Sequence, residues 1–126
     1  MKLLLDSHVI LWWLARPRAL KKDALDTLEL SENALFVSAA TWWELGIKRA
    51  LQRIQFDTDA VARFLDEAKA TRLAVTFSHA ETAATLPPHH SDPFDRMLAA
   101  QALAEGLVLM TRDRAFDAYR IPIFPA

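Results

Sequence analysis

Short continuous apolar runs alternate along the chain with longer stretches that are apolar on one helical face, and this predicts strands alternating with helices. Lys2-Leu3-Leu4-Leu5 carries apolar side chains at its last three successive positions, as a strand buried on both faces must. Ser7 or Asp6 can cap the helix that follows, to about Ala15, where Arg16-Pro17 ends it. Asp23 to Leu30 predicts another helix. Ala34-Leu35-Phe36-Val37 predicts a second strand, and Ser38 can cap a long helix to about Leu51. Asp57, Thr58 or Asp59 opens the next helix, to about Ala70, and Leu73-Ala74-Val75-Thr76 reads as a third strand. Ser78 with Glu81 forms an S-x-x-E capping box for a short helix ending near Leu86. The loop from Pro87 to Ser91 precedes a helix from Pro93 to Glu105, stopped by Gly106. Leu107-Val108-Leu109-Met110 predicts a fourth strand. Ile121-Pro122-Ile123-Phe124 contains a proline and predicts an edge strand. The alternation implies an α/β fold with a mainly parallel central sheet of four to five strands, covered on both faces.

Composition narrows the picture. A chain of 126 residues is expected to form one domain, 1–126, large enough for a real core. No apolar run reaches the length of a bilayer span. The N-terminal apolar stretch is interrupted by Asp6 and His8 and lacks a small-residue cleavage site, so it reads as structure rather than as a signal peptide. The absence of cysteine removes disulfides and thiolate metal sites and agrees with a cytoplasmic protein. Fifteen basic and 16 acidic side chains leave a net charge of -1, which gives no general attraction to nucleic acid. Contact with RNA or DNA requires a local basic patch, or cations that neutralise clustered carboxylates.

The candidate chemistry starts in HSDPFDR, His90 to Arg96. Asp92 has the position of a helix N-cap with Pro93 at N1, and the residue before a proline is driven to the extended backbone that a cap needs. That is a structural explanation for Asp92. Asp95 would then share a helical face with Leu98, Ala99 and Ala102, at the head of a stripe facing the sheet. Burying a carboxylate costs several kcal/mol, roughly, unless a partner compensates, and a helix dipole of about 1 kcal/mol does not. Glu44 raises the same question. It either pairs with Lys48 at the surface or turns inward with Ala40, Ile47 and Leu51. Asp6 closes the first strand and Asp113 follows the fourth, where parallel α/β sheets gather ligands. Asp113 can also simply cap a short turn. Four carboxylates on one rim would repel and take up protons unless a hard cation such as Mg²⁺ or Mn²⁺ joined them. Such an ion is the equipment for phosphodiester hydrolysis. Ser7 can bind a water or phosphate there, or serve as a helix cap.

Other residues have plainer explanations. Of Trp12-Trp13 and Trp42-Trp43, one of each pair can face the core while the other offers a partner surface. Lys48, Arg49, Arg53, Arg96, Arg112 and Arg114 are solvated charges or a basic rim for RNA phosphates, with Arg96 able instead to hold a carboxylate. His8, His79, His89 and His90 lack zinc-site spacing, and His89-His90 reads most simply as loop.

LLLDSHVILWWL, SAATWWELGIK, HHSDPFDRMLAAQA and LVLMTRDRAF, in that order, resemble PIN-domain ribonucleases of the VapC toxin type. The resemblance covers nearly the whole chain. It implies a PIN-like α/β/α sandwich, an acidic site at Asp6, Glu44, Asp95 and Asp113 with Ser7 beside the first aspartate, and Mg²⁺- or Mn²⁺-dependent cleavage of RNA. The substrate class, among tRNA, rRNA and mRNA, is left open. A cognate antitoxin and a homodimer are also implied. Two other readings compete with a metal-dependent endoribonuclease. One is a haloacid-dehalogenase-like phosphatase, although His8 stands where that class places its second carboxylate. The other is a non-catalytic metal- or phosphate-sensing module.

Overall fold

A computed structural model describes residues 1–126. The central sheet has five strands, β1 (Lys2–Leu5), β2 (Ala34–Ser38), β3 (Thr71–Leu73), β4 (Val108–Thr111) and β5 (Ile123–Pro125). They lie in the order β3-β2-β1-β4-β5, and every neighbouring pair is parallel. The apolar run of β1 is explained by its central place. Leu3 and Leu5 enter one core cluster and Leu4 the other, as alternation across a strand requires. Each buried leucine contributes about 1.5–3 kcal/mol by transfer from water.

Six helices cover the sheet: α1 (Ser7–Ala15), α2 (Lys22–Glu29), α3 (Ala39–Ala50), α4 (Thr58–Glu67), α5 (Phe77–Thr85) and α6 (Pro93–Glu105). Val9 and Ile10 of α1, Ala24 and Leu28 of α2, and Val61 and Leu65 of α4 pack on the Leu3/Leu5 side. Leu98, Ala99 and Ala102 of α6 pack with Leu4, Leu109 and Phe116 on the other. No helix is long and apolar enough to cross a membrane.

Most local signals hold. Asp92 caps α6 by accepting the Phe94 and Asp95 N–H groups at 2.8 and 3.2 Å, with Pro93 opening the helix. Gly106 ends that helix in the left-handed conformation, φ 64°, that glycine adopts without a Cβ penalty. Three expectations change. The third strand is Thr71–Leu73, because Thr76 leaves the sheet to cap α5. The capping box is therefore Thr76 with His79 rather than Ser78 with Glu81: Thr76 Oγ1 accepts the His79 N–H at 3.2 Å, and His79 Nδ1 accepts the Thr76 N–H at 3.1 Å. Helix α4 stops at Glu67, short of Ala70, because Lys69 takes a left-handed φ of 58°.

Candidate active site

Strands β2 and β3 lie on one side of β1, while β4 and β5 lie on the other. All five strands point the same way, but the direction in which strands are added to the sheet reverses between β1 and β4, and a crevice opens beyond the carboxyl ends of strands at such a switch point. A cleft of about 500 Å³ is lined there by Asp6, Ser7, Glu44, Asp92, Asp95 and Asp113. The structure thus brings together every acidic residue singled out in the sequence. Cationic and aromatic groups line the same cleft, namely Lys48, Arg112, His8, Trp12 and His90.

Asp6 leaves β1 as the N-cap of α1. Its Oδ1 accepts the Ser7 hydroxyl at 3.1 Å and the His8 N–H at 3.3 Å, and its Oδ2 accepts the Thr111 hydroxyl at 2.6 Å. The cap is therefore Asp6, and Ser7 is the first helical residue with its hydroxyl proton aimed at Asp6. Thr111, the last residue of β4, also accepts the Asp113 N–H at 3.0 Å, so one hydroxyl joins the ends of two neighbouring strands. Asp113 caps the short turn Arg114–Ala118 through the Ala115 N–H at 2.9 Å, while its other oxygen faces the cleft. The structural and functional readings of Asp92 and Asp113 are not exclusive: each caps a turn with one oxygen and also lines the cleft.

Glu44 shows the same combination. The Lys48 ammonium is 3.3 Å from Glu44 Oε2, as a surface pair would have it, but the Glu44 side chain is only 7 % exposed. The two readings of the sequence meet in one pair at the cleft wall, with Glu44 buried and Lys48 half-buried.

Asp95 bears the electrostatic consequence. Burial pushes its carboxyl up to about 7, and the neighbouring charges of Asp6, Asp92 and Glu44 add to this against an opposing pull from His90.

Two residues of the site were not foreseen in the sequence. His90, read as loop, has its Nε2 2.8 Å from Asp95 Oδ2 and 3.2 Å from Asp113 Oδ2. Thr111 carried no weight beside the aspartate two places on. The one usable signal for His90 was its position two residues ahead of the Asp92 cap, which ties it to the start of α6.

The basic residues divide. Lys48 and Arg112 face the cleft. The Arg112 guanidinium also lies 4.2 Å from the Trp12 ring centroid and donates to the carbonyls of Ala19 and Ala126. Arg96 belongs neither to a phosphate rim nor to a carboxylate. It donates to the carbonyls of Ala83, Leu86 and Pro87 at 2.7, 2.9 and 3.2 Å, satisfying the exposed carbonyl end of α5. Arg114 and Arg53 are solvated, and the exposed Arg49 donates to the Phe56 carbonyl. Of the tryptophans, Trp42 packs on the core and Trp43 is 65 % exposed, while Trp12 and Trp13 are both half-buried.

A second, apolar groove of about 450 Å³ lies beside the free edge strand β3, walled by Val37, Trp42, Ala62, Leu65 and Leu73.

The model of the PIN-domain family matches residues 3–122. Ribonuclease VapC22 of Mycobacterium tuberculosis (strain ATCC 25618 / H37Rv) is 36% identical over 121 residues, which is 94% of this chain and 92% of that protein. The chain is a PIN domain of the VapC family. The family's fold recurs in the crystal structure of VapBC2 from Rickettsia felis bound to a DNA fragment from the promoter, with a TM-score of 0.75 at 14% identity, covering 100% of this chain and 99% of that one. DNA-bound VapBC from Salmonella typhimurium gives 0.73 at 17% identity over 99% and 98% of the two chains. Membership in the PIN family removes the haloacid-dehalogenase alternative, whose second carboxylate was already replaced by His8.

Proposed function

We propose that this VapC-type PIN domain, one unit over residues 1–126, is a divalent-metal-dependent endoribonuclease and the toxin of a toxin–antitoxin pair. One observation carries the reading: Asp6, Glu44, Asp95 and Asp113, spread over the whole chain, line one cleft at the sheet's switch point, in a chain 36% identical to a named ribonuclease.

The donor set fits a hard cation. It offers carboxylate oxygens and no thiolate, which suits Mg²⁺ and equally Mn²⁺. Burial raises the Asp95 carboxyl first and the charges of Asp6, Asp92 and Glu44 add to it, and a divalent cation would oppose both. Asp6, Glu44, Asp95 and Asp113 would hold the ion. A bound divalent ion supplies a Lewis acid for the attacked phosphate and makes a water nucleophilic near neutral pH.

The chain's own groups have separate tasks. Because the Ser7 hydroxyl donates to Asp6, its lone pairs are left to accept. In this rotamer Ser7 can orient a water and cannot bind a phosphate oxygen. Lys48 and Arg112 place positive charge on the cleft wall, where RNA phosphates would enter. Thr111 fixes Asp6 relative to Asp113.

The antitoxin contact is assigned to the apolar groove beside β3, where Trp42 meets α4 and a free strand edge. The sequence pattern offers the tryptophan pairs as partner contacts, and this groove uses the core-packed Trp42 rather than the exposed Trp43. A homodimer and a cytoplasmic location complete the proposal.

Asp6→Asn and Asp95→Asn should each abolish RNA cleavage in Mg²⁺ buffer while circular dichroism stays that of the wild type. Cleavage equal to wild type by both variants would overturn the nuclease assignment. Antitoxin binding without cleavage of any RNA would favour the non-catalytic sensing module.

A further inference from the structure

His90 stands between two of the carboxylates that line the cleft. Its Nε2 bridges Asp95 Oδ2 at 2.8 Å and Asp113 Oδ2 at 3.2 Å, two carboxylates carried by different elements. The three ligand atoms of this trio lie within 4.8 Å of one another, close enough for a single ion to bind all three. The other ring nitrogen settles which role His90 plays. Nδ1 accepts the Asp92 N–H at 3.2 Å. A nitrogen that accepts carries no proton, so the proton of the neutral ring is on Nε2. In this tautomer Nε2–H is a donor and has no lone pair for an ion.

The ring is also held in place. The His90 N–H donates to the Tyr119 hydroxyl at 3.1 Å, and its carbonyl accepts from Arg96 at 3.5 Å. The side chain is only 16 % exposed. Its ring packs against Phe116 with centroids 5.7 Å apart. The main-chain anchors fix the loop, and the Asp92 N–H on Nδ1 with the Phe116 contact fixes the ring.

We propose that His90 is an internal competitor of the divalent ion. In the ion-free protein its Nε2–H holds Asp95 and Asp113 together in place of the ion, and ion entry breaks this bridge. His90 is thus a positioning residue that holds Asp95 and Asp113 together without the ion and weakens the ion affinity of the cleft. The inference rests on reading the cleft as a metal site, and the experiment separates the two.

Mn²⁺ and Mg²⁺ are titrated calorimetrically into the full chain after chelator treatment, and thermal melting is followed with and without each ion. Wild type, His90→Ala and His90→Gln are compared, with Asp95→Asn as the ligand-loss control. His90→Ala should bind Mn²⁺ about tenfold more tightly, by roughly the free energy of a hydrogen bond to charged groups. In chelator it should melt lower than wild type, because two carboxylates lose their shared donor. His90→Gln, whose amide nitrogen can reach the Nε2 position, should restore both properties toward wild type. Weaker ion binding by His90→Ala would make His90 a ligand and overturn the proposal. Unchanged affinity with unchanged melting in chelator would overturn it too. Failure of either ion to bind wild type would instead sink the metal reading on which it stands.

Discussion

At Asp95 the folded chain holds a carboxyl that has reason to keep its proton. Its pKa is raised from the ordinary 3.8 to about 7, first by burial and then by the charges of Asp6 and Asp92. The native state therefore binds a proton that the unfolded chain has already released. This contribution to stability is complete below about pH 4 and is lost as pH rises through 7. In chelator, thermal denaturation should show the melting temperature falling across that window, and saturating Mn²⁺ should restore it at pH 8. Asp95→Asn should flatten the same profile and melt above wild type at pH 8 in chelator. Thr111 offers a second residue-scale test. Thr111→Val keeps the shape but removes the donor to Asp6 and the acceptor for the Asp113 N–H. Urea denaturation should show a loss of about 1–3 kcal/mol, and the cleavage rate should fall with it. Thr111→Ser should recover both. The aspartates were legible because they end strands or break an apolar helical face. His90 was not, because a loop has no periodicity to show which way a side chain turns.

Element boundaries follow the same division. Helix α6 agrees with the sequence at both ends, since Asp92, Pro93 and Gly106 act within a turn of their own positions. Asp92→Ala should cost about 1 kcal/mol of unfolding free energy, read from denaturant midpoints, and Asp92→Asn much less. It should also reduce RNA cleavage, because the cap holds the first turn that carries Asp95. Strand β3 and the cap of α5 departed from expectation. Both Thr76 and Ser78 are good caps by residue type, and the choice fell to Thr76 because His79 completes the box while its Nε2 lies 2.8 Å from Glu105 of α6. A contact to another helix selected between two local signals. At the groove beside β3, Ala62→Glu should abolish co-purification of the antitoxin from cells expressing both proteins, with circular dichroism confirming the fold.

Across the whole molecule, the amino-acid sequence by itself determined the order of strands and helices, the buried central strand β1, the caps of α3 and α6, and the residue types able to hold a hard cation. Caps and periodicity operate within a few residues, so they can be read one window at a time. The tertiary structure alone decided that Glu44 is buried while paired to Lys48, that Arg96 closes the end of α5, and that His90 stands between Asp95 and Asp113. The bond from Thr111 to Asp6 spans 105 positions. It exists because β4 pairs with β1 and not with β3. Strand order is settled by packing on both faces of the sheet at once, and no single stretch of chain carries that information.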